Sequence, residues 1–199
     1  RAKDVNNMPS KITLPSTYNG KSVTSIDEKA FYLCLELTSV TIPSSITSIN
    51  RLAFYYCYNL KKVYCDALIP PSLGNGSVFS NNASSRRIYV YDEAINVYKK
   101  QWSSYASYIY GNGSYSGSDT TTIYYTSTDG EVVNSEYLSI KENTYVDGQG
   151  KMVVCGKLDQ IPTKAFYDCK TLSSIIIPDC ATNICDSAFA YCYNLTGVT

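Results

Sequence analysis

The sequence predicts a mainly β solenoid with short helical or 3-10 turns, built as two short arrays of stacked 23-residue coils. Two observations predict the solenoid and a third divides it. The pattern Ala-Phe-x-x-Cys is written four times, ending at Cys34, Cys57, Cys169 and Cys192. The pairs Phe31/Phe54, Leu37/Leu60, Val40/Val63, Ile26/Ile49, Phe166/Phe189, Leu172/Leu195 and Ile161/Ile184 share one spacing of 23 residues. The period lapses between about Cys65 and Met152, where the segment GNGSYSGSD (111–119) has the composition of a flexible linker.

Each coil opens on a strand. Leu37-x-x-Val40-x-Ile42 and Leu172-x-x-Ile175-x-Ile177 follow the L-x-x-L-x-L spacing of leucine-rich repeats. Strand alternation points Val40 and Ile42 inward and Ser39 and Thr41 outward. Pro43 and Pro178 end the strands because proline lacks the donor for a further ladder bond. Ile46-x-x-Ile49 marks the return side of the coil. The Ala-Phe-x-x-Cys segment is expected to be a tight helical or 3-10 turn. Phe31, Phe54, Phe166 and Phe189 should fill the interior almost fully buried, with Cys34, Cys57, Cys169 and Cys192 stacked behind them. One coil cannot bury its own apolar face; stacking at about 4.8 Å per coil makes the core continuous.

Further along, Ile88-Tyr89-Val90 reads as one more strand. Asp92 is expected to cap a helix reaching about Tyr98–Ser104, with Ala94, Val97, Tyr98 and Trp102 near one face. This strand and helix (88–106) would close the first array (1–110), ahead of a linker at 111–118. Beyond it, Asp129-Gly130 between Ile123-x-Tyr125 and Val132-Val133 reads as a hairpin, and Asp147-Gly148 as a second turn. Met152-x-Val154 lies 23 residues before Ile175-x-Ile177, which predicts that the repeat register resumes there. The second array (119–199) would then be opened by a hairpin cap and stop in mid-strand at Val198-Thr199. With Arg1 in first place and no signal peptide, the chain reads as a processed or recombinant fragment.

The stretch LTSVTIPSSITSINRLAFYYCYNL (37–60) closely resembles the BspA-type, or Treponema-type, leucine-rich repeat of bacterial surface proteins. Asn50-Arg51 departs from that pattern, which usually has Gly-Asp or Gly-Asn there, and Cys65 replaces its third aliphatic. The resemblance implies a closing strand and helix, an opening cap, a surface or secreted location, and adhesion to host or bacterial proteins.

Composition narrows the chemistry. The chain of 199 residues carries 17 basic and 17 acidic groups, 20 tyrosines and no histidine. Balanced charge argues against a nucleic-acid partner, and no apolar run is long enough to span a membrane. Without histidine, Ser-His-Asp and Cys-His catalysis and HExxH zinc sites are excluded, and neither a catalytic residue nor a cofactor is expected. Cys180 and Cys185 have no second pair to complete a metal knuckle. Parallel Cα–Cβ bonds in adjacent coils predict free thiols for Cys34/Cys57 and Cys169/Cys192. Pairing of Cys65, Cys155, Cys180 and Cys185 stays open at this stage, a Cys155–Cys180 bridge included. The two Asp-Gly pairs lack calcium-loop spacing, and Asp27-Glu28 and Asp92-Glu93 read as solvated caps. The sequons at Asn75, Asn82, Asn112 and Asn194 matter only in a eukaryotic secretory pathway.

The surface that remains is the outward row of the strands. Alternation places Thr13, Ser39, Thr41, Lys62, Tyr64, Tyr89 and Tyr91 there in the first array, and Val153, Ser174 and Ile176 in the second. The expected function is a non-catalytic repeat protein that binds an extracellular protein through this face. The alternatives are a carbohydrate-binding or substrate-capture module, with tyrosines stacking on sugars, and a structural spacer.

Overall fold

The computed structural model describes residues 8–74 and 77–199. The sequon at Asn75 and the first seven residues of the first array lie outside them. The chain divides into two compact units, Arg1–Ser114 and Tyr115–Thr199.

In the first unit the strands are β1 (Lys11–Thr13), β2 (Thr17–Tyr18), β3 (Lys21–Ser22), β4 (Ser25–Ile26), β5 (Ser39–Ile42), β6 (Ser48–Ile49), β7 (Lys62–Cys65), β8 (Ser72–Leu73), β9 (Arg87–Val90) and β10 (Ile109–Gly111). One sheet runs β1-β5-β7-β9-β10, parallel throughout. A second, β4-β6-β8, is also parallel and forms the return side of the coils. Strands β2 and β3 make a small hairpin. Parallel pairing of successive strands follows from the repeat, because each coil returns the chain to its starting edge one step along the stack. Val40, Val63 and Ile88 occupy one register position and are fully buried, with Ile42, Ile46, Ile49 and Leu60 packed beside them.

The third side of the coil corrects an expectation. The Ala-Phe-x-x-Cys segments are chains of turns, neither α-helical nor 3-10. The reason is two left-handed residues in each copy: Lys29 and Leu33, Leu52 and Tyr56, Lys164 and Asp168, Ser187 and Tyr191, all with φ between 56° and 64°. A left-handed residue interrupts helical propagation and costs a non-glycine residue roughly 1–2 kcal/mol. Here it turns backbone donors along the stack. Lys29, Phe31 and Leu33 donate to the carbonyls of Arg51, Ala53 and Tyr55, and Lys164, Phe166 and Asp168 to those of Asp186, Ala188 and Ala190. The turns thus knit coil to coil as the strands do.

Inside these turns the phenylalanine rings stack. Phe31–Phe54, Phe54–Phe79 and Phe166–Phe189 have centroids 5.0, 5.4 and 5.3 Å apart and planes within 10° of parallel. Phe54, Phe79 and Phe166 are fully buried. Phe31 and Phe189 are half-buried rather than sealed as the motif predicts. The cysteines are more than fillers: Cys57 Sγ donates to the Phe31 carbonyl at 3.0 Å and Cys192 Sγ to that of Phe166 at 2.9 Å. Asn82 Nδ2 does the same for Phe54 at 2.7 Å.

The first unit closes with a 3-10 turn (Asp92–Ala94), helix α1 (Ile95–Gln101) and a second 3-10 turn (Ser103–Tyr108). Asp92 is not the capping side chain expected; Tyr91 holds the N-cap position and no side chain caps it. Three aromatic tips anchor the closing segment. Tyr98 Oη donates to the Ala67 carbonyl at 3.0 Å, Trp102 Nε1 donates to that of Pro71 at 2.8 Å, and Tyr105 Oη accepts from the Phe79 amide at 3.2 Å. Buried Arg86 holds the Phe79 carbonyl at 2.7 Å with its guanidinium over the Tyr105 and Tyr108 rings.

The second unit has strands β11 (Thr120–Ser127), β12 (Ile140–Val146), β13 (Gln149–Cys155), β14 (Leu172–Ile176) and β15 (Gly197–Val198), in sheet order β12-β13-β11-β14-β15. This order overturns two expectations. The hairpin is β12–β13, closed by Asp147 and Gly148, both with positive φ, while Val132-Val133 forms no strand. And β13 does not lie beside β14 in resumed register: β11 stands between them, antiparallel to both. The parallel stack proper begins with β14–β15 and the Ile161–Ile184 bridge. Tyr125 lies across the backbone of Gly150, where a Cβ would overlap its ring.

Candidate functional site

The parallel sheet of the first unit turns two unbroken rows of side chains outward. One reads Thr13–Thr41–Tyr64–Tyr89–Tyr110, each the register partner of the next. The other, two residues upstream on each strand, reads Lys11–Ser39–Lys62–Arg87. Alternation fixes both rows, because the intervening residues are the buried aliphatics of the core. The Tyr64 and Tyr89 rings stack at 5.0 Å with planes 16° apart, and Tyr110 follows at 6.5 Å. The Arg87 guanidinium lies 4.9 Å from the Tyr110 ring centroid. Tyr64 and Tyr89 thus turn one ring face each toward the other along the sheet, while Lys11, Lys62, Arg87 and Thr13 are exposed and Ser39, Thr41, Tyr64 and Tyr89 half-buried.

Tyr91, placed on this face by alternation, instead packs against the core beyond the end of β9. Three members of the rows went unread in the sequence. Lys11 and Arg87 stand two residues before Thr13 and Tyr89, so alternation alone could have found them. Tyr110 could not be found that way, since a strand at Ile109–Gly111 is hidden in glycine-rich surroundings.

The second unit offers no matching face. Ser174 is half-buried, and its hydroxyl lies 2.7 Å from that of Thr126. Val153 is half-buried opposite Thr122. Ile176 is 49% exposed beside Tyr124, which in turn faces Lys151. Because β11 and β13 enter antiparallel, the row Lys151–Tyr124–Ile176 joins unrelated coil positions and carries no repeated residue type.

All eight cysteines are free, so the open Cys155–Cys180 pairing is not made. Cys180 Sγ bonds the Leu158 carbonyl at 3.2 Å, and Cys185 Sγ the Gln160 side chain at 3.4 Å. The hydrogen bond with Cys34, and then burial, push the Cys57 thiol far above its ordinary range. Burial raises Cys65 and Cys192, and pushes Cys169 up to about 12. Such thiols stay protonated at neutral pH and are poor nucleophiles. Among the described residues, no three His, Cys, Asp or Glu side chains gather in a way that could hold a metal ion. No helix among them is long and apolar enough to cross a membrane.

Comparison with known proteins adds the lineage. The family described as "BspA type Leucine rich repeat region" matches in six copies over residues 7–108 and 114–199. The chain belongs to this family. Two solved structures resemble this BspA-type chain. One is the Treponema pallidum leucine-rich repeat protein, at 19% identity over 96% of this chain and 69% of that one, with a TM-score of 0.30. The other is a leucine-rich cell surface protein of Faecalibacterium prausnitzii A2-165, at 21% identity over 96% of this chain and 47% of that one, with a TM-score of 0.26. At these scores the likeness carries nothing further. No curated protein matches the sequence.

Proposed function

We propose that this BspA-type chain is a non-catalytic, surface-exposed or secreted repeat protein that adheres to another protein through the strand face of its first unit. The observation that carries the reading is the unbroken outward row Thr13–Thr41–Tyr64–Tyr89–Tyr110. Repeat solenoids use such continuous sheet faces for binding, and tyrosine supplies contact area with a polar tip at low entropic cost. Stacking on a sugar needs a ring face turned outward, and the Tyr64 and Tyr89 rings stack along the sheet with one face each toward the other. The face therefore favours a protein over a glycan.

The test is retention of the full chain on a panel of immobilised extracellular-matrix and bacterial surface proteins. The Tyr64→Ala/Tyr89→Ala variant is compared with the parent, with Tyr18→Ala, a change on the β2–β3 hairpin, as control. Loss of binding by the double variant alone supports the reading. Equal retention of all three chains would remove the strand face from it.

A further inference from the structure

We infer that the strand face of the first unit recognises an extended acidic polypeptide segment, whose carboxylates seat on the row of Lys11, Lys62 and Arg87. This rests on the strand-face reading above and names its partner class.

The charge pattern comes first. The chain as a whole is balanced, with 17 basic and 17 acidic residues. Yet the upstream row of this face holds Lys11, Ser39, Lys62 and Arg87 without an intervening carboxylate. None of the three cations forms an ion pair among the described residues; the pairs Lys29–Glu28 and Lys170–Asp168 lie elsewhere. Cations aligned on a flat sheet and left unneutralised raise the local potential and steer anionic partners.

The spacing comes next. Adjacent strands lie about 4.8 Å apart, so Lys62 and Arg87 are neighbours, and Lys11 stands two strands, or about 9.6 Å, from Lys62. An extended chain laid across the strands presents same-side residues about 6.8 Å apart. Flexible lysine stems absorb the difference. The parallel tyrosine row then meets the same segment with phenolic hydroxyls and ring edges. The next carboxylate along that segment, Asp66, follows β7 at the opposite end of the strand, beyond Tyr64. The face is thus positive at its amino-terminal edge.

The direction of ring stacking favours an acidic peptide over an acidic glycan. Tyr64 and Tyr89 stack on each other, and Arg87 lies over Tyr110. What remains suits hydrogen bonding and ion pairing with side chains and backbone.

The experiment uses the full chain and fluorescence polarisation. The probes are a labelled Glu/Asp-rich dodecapeptide, its lysine counterpart and a polygalacturonate oligosaccharide, titrated from low to high sodium chloride. The acidic peptide should bind, weaken steeply with salt, and weaken at least tenfold further in Lys62→Glu/Arg87→Glu. The control Lys21→Glu/Lys99→Glu, which reverses exposed lysines on β3 and α1 of the same unit and outside the two rows, should bind as the parent does. Trp102 fluorescence melts show that each variant is folded. An unchanged affinity in Lys62→Glu/Arg87→Glu overturns the inference. So does binding of the oligosaccharide alone through these residues, or binding of neither anionic probe. In those cases the strand-face reading still stands or falls separately, on whether Tyr64→Ala/Tyr89→Ala abolishes retention on immobilised proteins.

Discussion

Removing the Phe54 ring tests the aromatic stack where it is most enclosed. Phe54 is fully buried, with Phe31 5.0 Å away on one side and Phe79 5.4 Å away on the other, both nearly parallel to it. Its replacement by alanine strips both neighbours of a contact face and leaves a cavity between two coils. Such truncations cost about 3–5 kcal/mol when the surroundings cannot collapse. Collapse is opposed here, because the Phe31 and Phe54 amides are hydrogen-bonded to the following coil and hold the coil spacing. Phe31→Ala is the internal comparison. That ring is half-buried with one stacked partner, so its loss should be about half as large, roughly 2 kcal/mol. Trp102, the chain's single tryptophan, packs 5.9 Å from Phe79 and reports on this unit alone. Urea unfolding followed by its fluorescence should show the Phe54→Ala midpoint lowered by roughly 2 M, given a slope of about 1–3 kcal/mol per molar. A loss under about 1 kcal/mol, or equal losses for the two variants, would refute the reasoning that coil-to-coil stacking holds the core.

Other outcomes follow from the same geometry. Lys29→Gly should stabilise the first unit by about 0.5–1 kcal/mol by relieving a left-handed backbone, whereas Lys29→Val should destabilise it by a similar amount or more; a Trp102 melt reads both. Gly150→Ala should lower the melting temperature of the second unit, since the added methyl overlaps the Tyr125 ring, and an unchanged near-ultraviolet circular dichroism melt would contradict the packing. The raised Cys169 thiol binds its proton more tightly folded than unfolded, so its contribution is complete below about pH 9 and fades as pH climbs toward about 12. Stability measured across that window should fall in the parent and fall less in Cys169→Ser. Limited proteolysis should cut within 112–118 and leave two folded pieces; a single resistant core would count against independent units.

Sequence periodicity reveals which side chains face inward and says much less about which strands are neighbours. Val40, Ile42, Ile46 and Ile49 were readable as core because burial of one strand face imposes alternation. The position of β11 was not, since Ile123, Tyr125, Met152 and Val154 are buried in the observed antiparallel order and would be equally buried in a direct β13–β14 pairing. The turns were expected, but their left-handed conformation escaped notice for a different reason. Lys29, Leu33, Leu52 and Tyr56 are left-handed without being glycine or asparagine, so no residue type announces the conformation. Phe79 was missed as the third ring of the stack because its segment, SVFSNNA, lacks the motif's alanine and cysteine and comes 25 residues after Phe54. The register survives the two extra residues because Asn82 supplies the carbonyl contact that cysteine supplies elsewhere. The basic row was legible but overlooked, since the chain's balanced charge conceals a local alignment that only the strand register brings together.

The claim that binding belongs to the strand face is tested most directly by tyrosine-selective footprinting with mass spectrometry. It is run on the full chain alone and saturated with a protein that the immobilised panel shows it to bind. The account predicts that Tyr64, Tyr89 and Tyr110 lose labelling on binding, while the exposed turn tyrosines Tyr58 and Tyr193 keep theirs. Protection of Tyr58 and Tyr193 with Tyr64, Tyr89 and Tyr110 unchanged would contradict it and move the binding surface to the turns.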